Sequence, residues 1–317
     1  MVFPTDRARG NLDHGPEGGF DSVVLFVVAA LSIVAGLTGY LVVGHWPKAD
    51  PALRASEAIG AKVGSHPRPR SFLRSRLDPA TATGLVLTVA LIGFVVAGAV
   101  VGLFAWMIRR DLGVVTVDLA VERWAEARAT AFTDGVLETL THLGDTETIV
   151  VVAIAVGAFG LLRWRRWAVS LFVLIVVLGQ MMISNTIKVV IDRARPELRP
   201  RVDFTGTSFP SGHTTAATAT YLAVALVLAI GSSPRARAAL TGAALAIGVA
   251  VGCTRVLLGV HFFSDALAGL AIALSWFGLC AVAFGGRLLS FGTPMQVAAA
   301  PTVHPPPVGT HAGPGEM

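Results

Sequence analysis

AALTGAALAIGVAVGCTRVLLGVHFFSDALAGLAIALSWFGLCAVAF, residues 238–284, contains two apolar runs joined by a turn that holds its charged side chains. The runs, 238–258 and 262–284, are each long enough to cross the bilayer as a helix, which takes roughly 20 residues. Thr254, Arg255, His261 and Asp265 stand where the first run ends and the second begins. Ionisable groups are expensive inside a membrane and usually mark a function, so the mouth of this helix pair is the first place to look for chemistry.

Working outward, further apolar runs lie near 23–44, 84–107, 147–163, 167–187 and 213–231, which predicts seven membrane helices and an all-α polytopic fold. Composition agrees: 54% of the 317 residues are hydrophobic and 14% charged, and the mean hydropathy is +0.69. The net charge of +5 is spread over short connections, where it reads as topology and not as a nucleic-acid surface. Cys253 and Cys280 sit within apolar stretches and are expected to be small core residues, not a bridge. The run at 23–44 is too long for a signal-peptide core and lacks a basic region directly before it, so it is expected to be a retained span.

Lys and Arg favour cytoplasmic connections. Lys48, Arg54, Lys62, Arg68, Arg70, Arg74 and Arg76 fall in the segment 45–83, Arg163, Arg165 and Arg166 form a second cluster, and Arg235 with Arg237 a third. Setting all three inside puts residues 1–21, 108–146, 188–212 and 259–261 outside and the C-terminus inside. Arg109 and Arg110 run against the rule, as do the basic residues of 188–201. Trp46, Trp106, Trp164 and Trp167 stand at span ends, where indoles settle at the headgroup level. Residues 108–146 pattern as short amphipathic helices at the interface, with a lid as one use for them. The Pro-, Ala- and Gly-rich tail 288–317 is expected to be disordered.

Three polar clusters share the outer face. Lys188, Arg195 and Pro196 lie in KVVIDRARP after the fourth span, Pro210, Ser211, Gly212 and His213 open the fifth, and Thr254, Arg255, His261 and Asp265 join the sixth to the seventh. Lys188, Arg195 and Arg255 offer three positive charges, and guanidinium groups bind phosphate oxygens in pairs. Ser211 can cap a helix whose free N–H groups, beside the small Gly212, suit an anion. His261 and Asp265 are four apart, so on one helical face the carboxylate can accept Nδ1–H and leave Nε2 free to attack. Taken singly each has a structural reading: a snorkelling lysine, a helix start, a hydrogen-bonded pair. Their conjunction on one face favours phosphoryl chemistry. His14, His45, His66 and His142, and His304 and His311 in the tail, have no partners at ligand spacing and are expected to be solvated or interfacial, so no metal is expected.

The ordered set Lys188 to Arg195-Pro196, Pro210-Ser211-Gly212-His213, and Arg255, His261, Asp265 resembles the type 2 phosphatidic acid phosphatase and vanadium haloperoxidase superfamily. Thr254 departs from that pattern, standing where the family has serine. The resemblance covers about residues 84–287, implying a six-helix phosphatase core preceded by one additional helix at 22–44. It implies His261 as nucleophile, forming a phosphohistidine, Asp265 orienting it, and His213 protonating the leaving oxygen. Lys188, Arg195, Ser211, Gly212 and Arg255 would hold the phosphoryl oxygens without a metal or other cofactor. The implied substrate is a lipid phosphate or pyrophosphate, such as polyprenyl pyrophosphate, phosphatidic acid or phosphatidylglycerol phosphate, met on the extracytoplasmic side of a bacterial plasma membrane. Competing readings are a lipid-phosphate binder or transporter that keeps the fold, and a haloperoxidase, for which so many spans give no reason.

Overall fold

The computed structural model describes residues 17–45, 83–165, 167–197, 201–202 and 206–289; the segments 1–16, 46–82 and 290–317, with Trp46, His14, His66, His304 and His311, lie outside the described residues. Inside a bilayer a helix satisfies its own backbone, so each apolar run folds as one. The spans are α1 (Glu17–His45), α2 (Thr83–Arg109), α5 (Thr146–Trp164), α6 (Trp167–Ile191), α7 (Gly212–Leu228), α8 (Pro234–Leu257) and α9 (Phe263–Leu289). Six of them are long and apolar enough to cross a membrane, and this is an integral membrane protein. The seventh, α7, has only 17 residues, about 26 Å of helix. It stops short of the expected 231, where Gly231 turns the chain at φ 77°.

The brevity of α7 fits its place. It lies between α5, α6, α8 and α9, and its sequence GHTTAATATYLAVALVL puts small Ala and Thr side chains on almost every side. Small residues let membrane helices approach closely, where dispersion replaces the missing hydrophobic drive. α9 packs on α2, α6 and α7, and the additional helix α1 lies along α8. That seam is tight: a β-carbon on Gly242 would stand 2.5 Å from the Gly36 carbonyl oxygen. Gly44 faces Ala238 while Gly36 faces Ala246, so the two helices run antiparallel.

The amphipathic stretch after α2 forms α3 (Gly113–Glu126) and α4 (Ala131–Thr141), then a single turn at His142–Gly144. Thr130 caps α4 and exchanges hydrogen bonds with Thr133, a reciprocal cap that fixes its start. α4 buries Thr133, Leu137 and Thr141 at a four-residue spacing, and α3 buries Asp118, Glu122 and Ala125. α3 packs on α9, α2 and α8 as part of the bundle wall. Trp106 and Trp167 are exposed at helix ends, as an interfacial indole would be, and Cys253 and Cys280 are both free.

Candidate active site

Four helix ends meet at one end of the bundle. α6 stops because Asp192 adopts the left-handed region at φ 48°, which turns Arg193 to Pro196 back toward the bundle. α7 begins at the cap Ser211, whose side chain accepts from the Thr214 N–H. α8 ends in the turn around Gly259, at φ 69°, and α9 begins at Phe263. Arg163, Arg165, Arg235 and Arg237 mark the opposite end, at the finish of α5 and the start of α8.

These helix ends enclose a cavity of about 410 Å³ lined by Lys188, Arg195, Gly212, His213, Arg255 and His261, with Ile149, Val150 and Met181 continuing it between α5 and α6. Two of its cations are held by carbonyl oxygens. Arg195 donates Nη1–H to Val260 O at 2.7 Å and Nε–H to Gly206 O at 3.0 Å, while Lys188 Nζ donates to Thr207 O at 3.4 Å. A β-carbon on Gly212 would stand 3.7 Å from Lys188 Nζ, so the bare glycine leaves that ammonium open to a ligand. Arg255 Nη1 donates to Thr141 Oγ1 at 3.3 Å, and its buried Nε has no partner.

His261 is 2% exposed. Its Nε2 stands 3.3 Å from Arg195 Nη1, and since a guanidinium can only donate, Nε2 is the unprotonated nitrogen and Nδ1 carries the hydrogen. Nδ1 lies 3.5 Å from Asp265 Oδ2, wider than a hydrogen bond. Burial pushes the imidazole down to about 4 against the pull of Asp265, and Arg195 and Arg255 push it the same way. The ring is therefore neutral at ordinary pH.

Asp265 is fully buried and fixed by other groups. Its Oδ1 accepts from Arg193 Nη1 at 2.6 Å, and its Oδ2 accepts from the Phe262 N–H at 2.9 Å and from the Ser208 hydroxyl. The same Arg193 donates Nη2–H to Asp118 Oδ2 at 2.8 Å and lies over the Phe262 ring, 4.0 Å from its centre. Asp118 in turn accepts the Ser264 N–H and hydroxyl, at 2.8 and 2.6 Å. One guanidinium thus ties α3, the loop after α6 and the start of α9 together behind the histidine.

A second His–Asp pair faces it. His213 Nε2 lies 2.9 Å from Asp145 Oδ1, and the other oxygen of Asp145 lies 2.6 Å from Nδ1 of His142, a side chain that is 62% exposed. Burial alone would raise the Asp145 carboxyl, but hydrogen bonds from His142 and His213 hold it below the usual carboxylate range. Gly144, just before it, is required by close approach: a β-carbon there would meet Val251 at 2.8 Å and the β-carbon of His213 at 3.1 Å.

Lys188, Arg195, Gly212, His213, Arg255 and His261 thus converge, with Asp265 behind His261. Ser211 does not line the cavity: its oxygen accepts from the Thr214 N–H and hydroxyl and its N–H donates to the Asp265 carbonyl, so it secures the start of α7. Thr254 turns its hydroxyl back to Val251 O at 2.7 Å, away from the cavity. Reading the sequence missed Arg193, although it stands two residues before Arg195, because charge alone does not say which arginine turns inward. It missed Asp118, hidden in an amphipathic helix with nothing to set it apart, and Asp145, the partner that makes His142 more than a solvated side chain.

Residues 167–288 match the model of the PAP2 superfamily. The chain is 31% identical over 166 residues to phosphatidylglycerophosphatase B of Bacillus subtilis (strain 168), covering 52% of this chain and 81% of that protein. It is 32% identical over 167 residues to a lipid A 1-phosphatase of Rhizobium etli, covering 45% of this chain and 67% of that one. A crystal structure described as the first transmembrane PAP2 type phosphatidylglycerolphosphate phosphatase, from Bacillus subtilis, superposes with a TM-score of 0.53 at 26% identity, over 60% of this chain and 96% of that one. With the cationic cavity and its paired histidines in the segments that match, the chain belongs to the PAP2 superfamily and is one of its membrane phosphatases.

Proposed function

We propose that this protein removes a terminal phosphoryl group from a membrane lipid, with His261 as nucleophile and no metal. The observation that carries this reading is the unprotonated Nε2 of a buried, neutral histidine set among Lys188, Arg195 and Arg255, in a cavity that runs on between the lipid-facing helices α5 and α6. Nε2 attacks phosphorus while the bond to the lipid oxygen breaks and His213 supplies the proton that oxygen needs. The Nδ1–H turns to Asp265 as charge leaves the ring. Water then attacks the phosphohistidine, its proton passes to His213, the N–P bond breaks, and phosphate departs with His261 restored. The three cations and the N–H groups at the start of α7 stabilise the equatorial oxygens, the task a metal often performs.

Polyprenyl pyrophosphate, phosphatidic acid and phosphatidylglycerol phosphate are the candidate substrates. The Bacillus subtilis relative, named for phosphatidylglycerophosphate, supports the last of these. An extracytoplasmic site is supported by Arg163, Arg165, Arg235 and Arg237 at the opposite end of the bundle, which the positive-inside rule assigns to the cytoplasm. A bacterial plasma membrane fits the organisms of the relatives. Purified protein in detergent with EDTA is expected to release inorganic phosphate from at least one of these lipids. Failure on all of them, or a strict need for a divalent cation, would sink the reading.

Asp145 stabilises the protonated His213 that the first step consumes. Asp145→Asn keeps the shape and removes the charge, so kcat is expected to fall by about tenfold or more, in line with a general acid worth 10²–10⁴. A thermal melt close to wild type would accompany that loss. An unchanged kcat would remove Asp145 from the mechanism.

A further inference from the structure

Seven buried side-chain nitrogen or oxygen atoms among the described residues lack a hydrogen-bond partner: those of Asp134, Gln180, Ser184, Thr218, Thr220, Arg255 and His261. Arg255 and His261 face the phosphoryl position. Gln180 Nε2 and Ser184 Oγ line the same cavity, yet the chemistry above gives them no task. Gln180 is 1% and Ser184 3% exposed, both on α6, and an unpaired amide donor at bilayer depth costs about 1–3 kcal/mol. Such a group is retained where a ligand completes it.

Their register says which part of the ligand. Gln180, Ser184 and Lys188 are spaced by four and so share one face of α6. With Lys188 at the phosphoryl end, Ser184 lies about 6 Å and Gln180 about 12 Å deeper along the helix, by the rise per residue. Beyond the cations and histidines the cavity is lined by Ile149, Val150, Met181 and Ala216, all apolar, and by Thr146 and Asn185, which are uncharged. A second phosphoryl group at that depth would find no cation. A neutral acceptor some ångströms below a phosphate, where hydrocarbon begins, is the ester carbonyl of an acyl lipid.

We propose that Gln180 and Ser184 form a carbonyl-binding subsite that selects acyl-ester lipid phosphates over lipids of the same headgroup whose chains carry no carbonyl. This rests on the lipid-phosphatase reading and narrows it: a glycerolipid fills the subsite, whereas a polyprenyl chain leaves the amide N–H and hydroxyl unpaired.

The test compares diacyl phosphatidic acid with its dialkyl ether analogue, which keeps the phosphate, glycerol and chain length and loses only the carbonyls. Both are presented in the same mixed micelles with wild-type protein, Gln180→Leu and Ser184→Ala. Wild type is expected to prefer the ester in kcat/KM by about tenfold, the scale of one or two hydrogen bonds. In Gln180→Leu that ratio is expected to collapse toward one, and in Ser184→Ala to fall part of the way. Ser184→Ala removes one buried atom and keeps the helix intact, so it reads the subsite even where leucine perturbs packing. A wild-type enzyme active on both lipids without preference, or an ester preference kept by both variants, overturns the subsite alone. A wild-type enzyme inactive on every lipid phosphate overturns the lipid-phosphatase reading and the subsite with it.

Discussion

His261→Ala is expected to lower kcat/KM by at least about 10⁴-fold, the scale seen when a covalent catalytic unit loses its nucleophile. The side chain is buried, and its one hydrogen-bond contact among the described residues is with Arg195, which Val260 O and Gly206 O also hold, so the variant should fold and its loss should be chemical. Phosphate release at limiting substrate measures the effect, and acid-labile label from a phosphorus-labelled lipid should appear on wild type and vanish with the histidine. Residual activity above one per cent would remove His261 from the role of nucleophile. The same residue sets a pH signature. Burial holds its imidazole near 4, so the acid limb that it contributes to kcat/KM should lie near pH 4, far below the 6.5 or so of a free imidazole. Stability follows the same sign: the unfolded chain binds this proton more readily, so the contribution is whole above about pH 6.5 and is lost as pH falls toward 4.

Arg193→Ala is expected to be the most destabilising single change near the site. It would strip Asp118 and Asp265, both buried, of their shared cation, and removal of one partner from a buried ion pair costs about 3–5 kcal/mol. The melting temperature in detergent should drop sharply, and kcat should fall with it as Asp265 loses its anchor. Arg193→Lys should rescue little, because a single ammonium cannot serve two carboxylates and a ring face at once. The double change Arg193→Met with Asp118→Leu should recover part of the stability by removing the stranded charge. A melting temperature within about 2 °C of wild type for Arg193→Ala, far short of what several kcal/mol implies, would show that the network carries no weight.

What the chain revealed before folding divides along a physical line. All seven apolar runs became helices within a few residues of their expected ends, because a helix in lipid is fixed by length and hydrophobicity, both local quantities. The convergence of Lys188, Arg195, His213, Arg255 and His261 was also legible, since alternating helix direction places every second connection on one face. The inward turn of Arg193, the union of Asp118 with Ser264 and the bond between Asp145 and His213 depend on backbone reversals and on packing between distant segments. No pattern of spacing encodes those. Ser211 shows the same limit from the other side: the cap was foreseen, but not that its oxygen would also accept from the Thr214 hydroxyl.

The glycine seam between α1 and α8 also sets an order of events during synthesis. α1 leaves the ribosome well before α8, with four other apolar helices between them. A lone helix in lipid has its backbone satisfied and can wait. A groove floored by Gly36, Gly39 and Gly242 admits its partner only as a finished helix, so the docking of α1 on α8 is a late closure, made when the segment bearing Arg255 is already in the membrane.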